Sequence, residues 1–187
     1  MIVADSAVTL PVGQIDDAAQ RLLDVCQDAL AAGISEAQVG NHLSDISHAV
    51  QAVVEEAGFS VVRSLVGHGV GRTMHEDPQI PNYGAPGRGP ELASGMTFAI
   101  EPMINAGGPD IYLHDDDWSI STADGALSAH FEHTVAITED EPRILTTDKD
   151  RAGARLLPEF LPAQQSCACF CVPTTALKWR GSCEGER

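Results

Sequence analysis

The chain of 187 residues reads as an α+β protein in which two helices pack on an antiparallel sheet. Two stretches of apolar residues at helical spacing come first, and at Gly58 the period changes to β-rich runs. Apolar residues make up 43% of the chain and mean hydropathy is close to zero, enough for one soluble domain with its own core.

Taken in order, the first element begins at Asp16. Ala19, Leu22, Leu23, Cys26, Ala29 and Leu30 recur along one face, Asp16 and Asp17 sit near the positive end of the helix dipole, and Gly33 is read as the terminator. A second helix is expected from Ser35, whose Ser-Glu-Ala-Gln run has the form of a capping box, through Val39, Leu43, Ile46, Val50, Val53 and Val54 to Gly58. Phe59 to Val66, Thr97 to Ile104 and Ser128 to Thr138 are strand-like, and Arg143 to Thr146 could add a short strand. Between His75 and Leu92 the prolines and glycines at 78, 81, 84, 86, 87, 89 and 90 predict a long irregular loop.

Charge and cysteine both divide the chain near residue 150. Residues 1–150 hold 24 acidic and 6 basic side chains, residues 151–187 hold 3 and 5, and the whole carries a formal charge of −16. An acidic body repels nucleic-acid phosphates and anionic lipid head groups, so neither is expected as a partner. No apolar run is long enough to span a membrane and no secretory leader pattern opens the chain, which makes the cytoplasm the expected location. Cys26 lies on the apolar face of the first helix and reads as a buried hydrophobe, while Cys167, Cys169, Cys171 and Cys183 fall in the last twenty-one residues. That Cys-x-Cys-x-Cys run lacks the two-residue gaps of ordinary zinc knuckles.

The chemistry concentrates in Gly67-His68-Gly69-Val70-Gly71, Met74-His75-Glu76-Asp77-Pro78, Ala99-Ile100-Glu101-Pro102-Met103 and His130-Phe131-Glu132-His133-Thr134. Imidazole nitrogen and carboxylate oxygen together suit a divalent first-row metal, and carboxylates that each span two ions suit metal-assisted hydrolysis. His68, between two glycines, is expected where missing side chains leave room for an ion or substrate. Pro102 biases Glu101 to extended geometry and ends its strand, which would turn the carboxylate into a cleft. Each has a bland reading as well: a hydrogen-bonded histidine at a strand end, a buried pair of structural glutamates, a plain loop histidine at 75.

In this order, and at spacings of seven, twenty-six and thirty-one residues between His68, His75, Glu101 and Glu132, the segments resemble the type I methionine aminopeptidases, metalloenzymes of the pita-bread fold. The resemblance runs back through Val61-Val62-Arg63 and the two helices to Ala4-Asp5-Ser6-Ala7 and forward to Arg143-Ile144-Leu145-Thr146. It implies a truncated pita-bread domain over residues 1–147, mainly the C-terminal half, and a disordered tail outside the family pattern over 148–187. Its implied metal ligands are Asp5, His68, Glu101 and Glu132, with Asp5 and Glu132 bridging two ions and Glu101 also the general base. It implies that His75 contacts the scissile amide and steadies the developing oxyanion, and that Trp118 and Met74 help wall a methionine pocket.

The same resemblance places Met1 between the family's two aspartates, so the first chelating aspartate, an earlier substrate-contacting histidine and an upstream pocket wall have no counterpart. One retained ion, low activity, exposed strand edges and poor autonomous stability are therefore expected. Cobalt, manganese, iron and zinc all accept this ligand set. The implied function is removal of the initiator methionine from nascent chains, near the ribosome. The rivals are a catalytically silent pita-bread protein that binds peptides or a protein partner, and a proline-specific peptidase of the same fold.

Overall fold

The stretch after Asp16 folds as α1, Asp17–Ser35. Asp16 caps it, its side chain accepting from the Ala19 amide at 2.7 Å, and Leu22, Leu23, Cys26, Ala29 and Leu30 turn inward. The computed structural model describes residues 2–147, so the expected disordered tail and the Cys-x-Cys-x-Cys run lie outside the described residues.

The second helix, α2, runs Leu43–Glu56 and does not start at Ser35. Ser35 instead closes α1, its hydroxyl donating to the Ala32 carbonyl at 2.7 Å, and Gly40 at φ +89° turns the chain before α2 begins. The acid that serves α2 is Asp45, whose Oδ2 accepts the His42 amide at 2.7 Å. Gly33 is no terminator either. It lies inside α1, where a Cβ would come within 2.8 Å of Val50 Cγ2, so its missing side chain is what lets the two helices meet.

The strands, in chain order, are β1 (Ser6–Ala7), β2 (Ser60–Val61), β3 (Gly67–Gly69), β4 (Glu76–Ile80), β5 (Thr97–Ile100), β6 (Met103–Asn105), β7 (Ile111–Leu113), β8 (Ile120–Thr122), β9 (Ser128–His130), β10 (Glu132–Ala136) and β11 (Arg143–Ile144). The main sheet has the order β1-β10-β5-β3-β4, with β11 also on β10, and every pairing is antiparallel. A second sheet has the order β2-β6-β9, and β7 with β8 forms a separate hairpin. The α+β expectation holds. The irregular loop expected after His75 begins instead as a strand, because β4 pairs with β3 through Gly67↔Ile80 and His68↔Gln79. The β7–β8 hairpin was not anticipated.

The chain crosses between the two sheets at two corners. Glu101-Pro102 separates β5 from β6, and Phe131 separates β9 from β10. Proline removes the ladder donor at the first corner, as its position predicts. One core lies under both sheets: Leu22, Cys26, Ile46, Val50, Val54, Ile100, Ile104, Phe131 and Val135 are all within it. Cys26 is fully buried, 3.4 Å from the Pro102 carbonyl, and burial pushes its thiol far up, so it is the core residue the sequence indicated. Ile2, Val8, Leu10, Val12 and Ile15 are all at least a third exposed.

Gly33→Val is expected to lower stability by about 1–3 kcal/mol through overpacking against α2. Val50→Ala introduced into the same chain should recover part of that loss. Thermal or urea unfolding of the two single variants and the double variant measures this, and strictly additive losses would contradict the contact.

Candidate metal centre

His68 is the central residue of β3 and is buried. The glycines beside it do not make room for a ligand, contrary to expectation. A Cβ at Gly67 would strike the Ala99 carbonyl oxygen of β5, and one at Gly69 the Asp77 carbonyl oxygen of β4, so the space is taken by neighbouring strands. His68 Nδ1 lies 2.9 Å from the Gly69 carbonyl oxygen, which can only accept. A proton on Nδ1 satisfies this contact and leaves Nε2 as the nitrogen that would meet a metal.

Asp5 is held just before β1 by Thr134, whose Oγ1 accepts the Asp5 amide at 2.8 Å and donates to the Asp5 carbonyl at 2.8 Å. The adjacent register, Ala7↔Glu132, brings Glu132 at the start of β10 alongside. Glu101 directly follows β5 at the first corner, its carbonyl accepting from Asn82 Nδ2 at 3.0 Å. His130 closes β9 at the second corner, and its backbone is clamped by Thr9, whose hydroxyl donates to the His130 carbonyl at 2.7 Å and accepts its amide at 2.9 Å.

These five side chains converge. Ligand atoms of Asp5, His68 and Glu132 lie within 4.8 Å of one another, and so do those of Glu101, His130 and Glu132. Glu101 stands between two imidazoles: Oε1 is 3.5 Å from His68 Nε2 and Oε2 is 3.5 Å from His130 Nε2. All four ligands inferred from the sequence are thus gathered in one place. His130 is the addition. The alternation of a strand carried the signal, since residues 130 and 132 of one extended run share a face.

The electrostatics of this cluster are unfavourable without a cation. Burial, then Glu132, then Asp5 pushes Glu101 up to about 9. Burial followed by Asp5 pushes Glu132 up to about 8. Burial takes His130 down to about 4 and also lowers His133. With Glu101 neutral, its two 3.5 Å approaches to histidine are polar contacts rather than ion pairs. Glu132 Oε1 and His130 Nε2 are buried without a hydrogen-bond partner. Buried polar atoms are ordinarily satisfied. A divalent ion bound by oxygen and imidazole nitrogen would satisfy both and restore the carboxylates to their charged form, so the residues fit the metal that their types imply.

The cluster forms one end of a cavity of about 260 Å³. Its other wall is apolar, built by Leu65, Val66, Met103, Ile111, Trp118 and Ile120. The β7–β8 hairpin supplies Ile111 and Ile120 and carries Trp118, whose amide donates to Asp116 Oδ1 at 3.1 Å. His75 lines the same cavity, its ring centroid 4.4 Å from that of His68. Met74, half-buried, does not line it. Among the described residues no helix is long and apolar enough to cross a membrane.

Comparison with known proteins places this geometry in context. The pattern of metallopeptidase family M24 matches residues 1–139. The methionine aminopeptidase of Clostridium perfringens is 51% identical over 146 residues, covering 78% of this chain and 59% of that protein. Methionine aminopeptidase 1 of Bacillus subtilis is 55% identical over 142 residues, covering 76% and 57%. In three dimensions the crystal structure of methionine aminopeptidase from Thermotoga maritima matches with a TM-score of 0.76 at 48% identity, over 78% of this chain and 58% of that one. The prolidase from Pyrococcus furiosus matches at 0.59 and 22% identity, a likeness of fold alone. The chain spans rather under two thirds of the length of the curated relatives it matches.

The charge balance has a measurable sign. A carboxyl raised from 4.5 on folding keeps its proton in the folded chain while the unfolded chain loses it, so stability falls as pH rises until the folded group ionises. A histidine depressed from 6.5 acts oppositely, and only below that value. Between pH 6.5 and 8 the carboxyls alone act. The chain in chelator is therefore expected to lose thermal stability steadily across that window, and saturating manganese or cobalt should abolish the slope. A midpoint in chelator that does not fall with pH would show that Glu101 and Glu132 are not held as described.

Proposed function

The chain belongs to metallopeptidase family M24 and has its pita-bread fold in part, and from that premise we propose that it is a divalent-metal-dependent aminopeptidase that removes the initiator methionine from nascent proteins. The observation that carries the proposal is the meeting of Asp5, His68, Glu101 and Glu132 at one end of a cavity whose other wall is apolar.

The reaction is hydrolysis of the first peptide bond. The carbonyl carbon gains the oxygen of water, the bond to nitrogen breaks, and the leaving amine takes a proton. Asp5, His68 and Glu132 would hold a divalent cation, with Glu101 beside it, and the cation would supply Lewis acidity and a stabilising charge. Glu101 takes the proton from the attacking water and returns it to the leaving nitrogen. A cation held there would favour the ionised, basic form of its carboxyl, the condition a general base must meet. His75 lies beside His68 and is the donor for the oxygen on which charge develops.

Trp118, Ile111 and Ile120 would receive the unbranched thioether side chain of methionine. Met74 is not part of that pocket, since it does not line the cavity. Cobalt, manganese, iron or zinc would serve as the cation. The partners are the N-termini of nascent chains close to the ribosome, in the cytoplasm, and neither nucleic acid nor membrane is among them. The silent peptide-binding reading draws on the short span relative to the curated relatives. Against it stands the meeting of Asp5, His68, Glu101 and Glu132 in one cluster.

With added cobalt or manganese the chain is expected to cleave a Met-Ala-Ser peptide, and Glu101→Ala should lower kcat by about 10²-fold or more. Trp118→Ala should raise KM more than it lowers kcat, since it removes binding to a side chain remote from the reacting bond. Metal binding without turnover would decide for the silent reading.

A further inference from the structure

We propose that His130 is the imidazole ligand of a second divalent ion, held together with Glu101 and Glu132 beside the ion of Asp5 and His68. The proposal rests on the metallopeptidase reading of the same site, whose family resemblance already implies two ions, and goes beyond it in naming His130 as a ligand. The ligand set inferred from the sequence was Asp5, His68, Glu101 and Glu132, and His130 was not among them.

Three observations carry it. The five side chains form two overlapping groups, each with one imidazole, and Glu132 belongs to both. His130 Nε2 and Glu132 Oε1 are buried without a hydrogen-bond partner, and Glu132 is only 3% exposed, so two unmet polar atoms face the same small space.

The third is the spacing around Glu101. Its Oε1 faces His68 and its Oε2 faces His130, both at 3.5 Å. Protein hydrogen bonds with nitrogen donors fall near 2.7–3.2 Å, so both approaches are long for that interaction. Two ligands on one ion with bonds of about 2.1 Å stand roughly 3.4 Å apart at the tetrahedral angle. Each oxygen of Glu101 thus stands where it could share an ion with a different imidazole, which makes Glu101, like Glu132, a carboxylate common to two cations.

Charge and rigidity agree with this. Asp5, Glu101 and Glu132 together carry three negative charges when ionised, which a single dication does not neutralise and two do. The His130 backbone is fixed on both its donor and its acceptor by Thr9, and the register Met103↔His130 fixes the strand beneath it. The ring is therefore presented from a strand end that does not need to move to meet an ion.

Equilibrium dialysis of the full chain against cobalt, with metal analysis, is the test. Two ions per chain are expected for the native sequence, and His130→Gln should retain one while binding the second at least tenfold more weakly. His68→Gln should weaken the other position instead. Circular dichroism checks that each variant folds. Loading the unaltered chain with manganese gives a readout that needs no variant, since two ions sharing carboxylates give an exchange-coupled paramagnetic resonance spectrum. One ion in the native chain, an uncoupled manganese spectrum, or unchanged binding by a folded His130→Gln would each overturn the proposal and leave the metallopeptidase reading standing, with His130 then a neutral neighbour of Glu101 outside the metal's ligands. Absence of any tight divalent binding by the native chain would overturn both.

Discussion

Three carboxyl groups and two imidazoles packed into one buried corner set the terms for the rest of this molecule. Like charges so close in a poorly solvated space cannot all ionise, and the protein answers by holding Glu101 and Glu132 neutral and His130 uncharged. Such an arrangement stabilises nothing by itself. It persists because the surrounding backbone over-determines it: Thr134 grips Asp5, Thr9 grips His130, and Asn82 grips the carbonyl of Glu101. A site that stores unmet electrostatic demand in a rigid frame is pre-organised for a cation and for the charge that develops in hydrolysis.

The frame comes from the two places where strands leave one sheet for the other. Within either sheet, side chains alternate between the core and the opposite face, and a charged group on the core side would be costly. At the corners the face opposite the core opens on the cavity. Glu101 stands in the break between β5 and β6, and His130 and Glu132 flank the break between β9 and β10. The antiparallel register of β5 with β10, running from His133↔Ile100 to Ala136↔Thr97, sets the two corners side by side. Phe131, only 2% exposed, anchors the second corner in the core, so residues on either side of it turn toward the cleft.

What the sequence disclosed follows the range of the interactions involved. Helix α1, with Asp16 near its positive end, was readable because it depends on local spacing, and so was the buried Cys26. The start of α2 was not, because Ser35-Glu36-Ala37-Gln38 has the local form of a cap while Gly40 takes the chain elsewhere. The glycines around His68 were misread for a related reason: the bodies that exclude a side chain there are the Ala99 and Asp77 carbonyl groups of other strands, which no local pattern announces. β7 and β8 are three residues each, too short for a period to stand out, yet they build much of the apolar wall. His130 is intermediate. Its place beside Glu132 follows from strand alternation, but its approach to Glu101 is a matter of tertiary structure.

The apolar wall and the polar cluster also divide the work between features shared across the fold and features of this chain. Neighbours at 20–25% identity share the sheets and helices, and that likeness by itself selects no substrate. Selection has to come from side chains opposite the acidic cluster, and here these come largely from one hairpin and the strand end at Met103. Asp116 holds that hairpin's turn through the Ser119 amide at 2.8 Å and the Ser119 hydroxyl at 2.6 Å, with its carboxyl drawn down to about 2 by those bonds. An ionised acid fixing a turn by short hydrogen bonds is a local device, independent of the buried cluster. The wall that would recognise a side chain and the corner that would cleave beside it are therefore built by separate interactions, and change in one need not disturb the other.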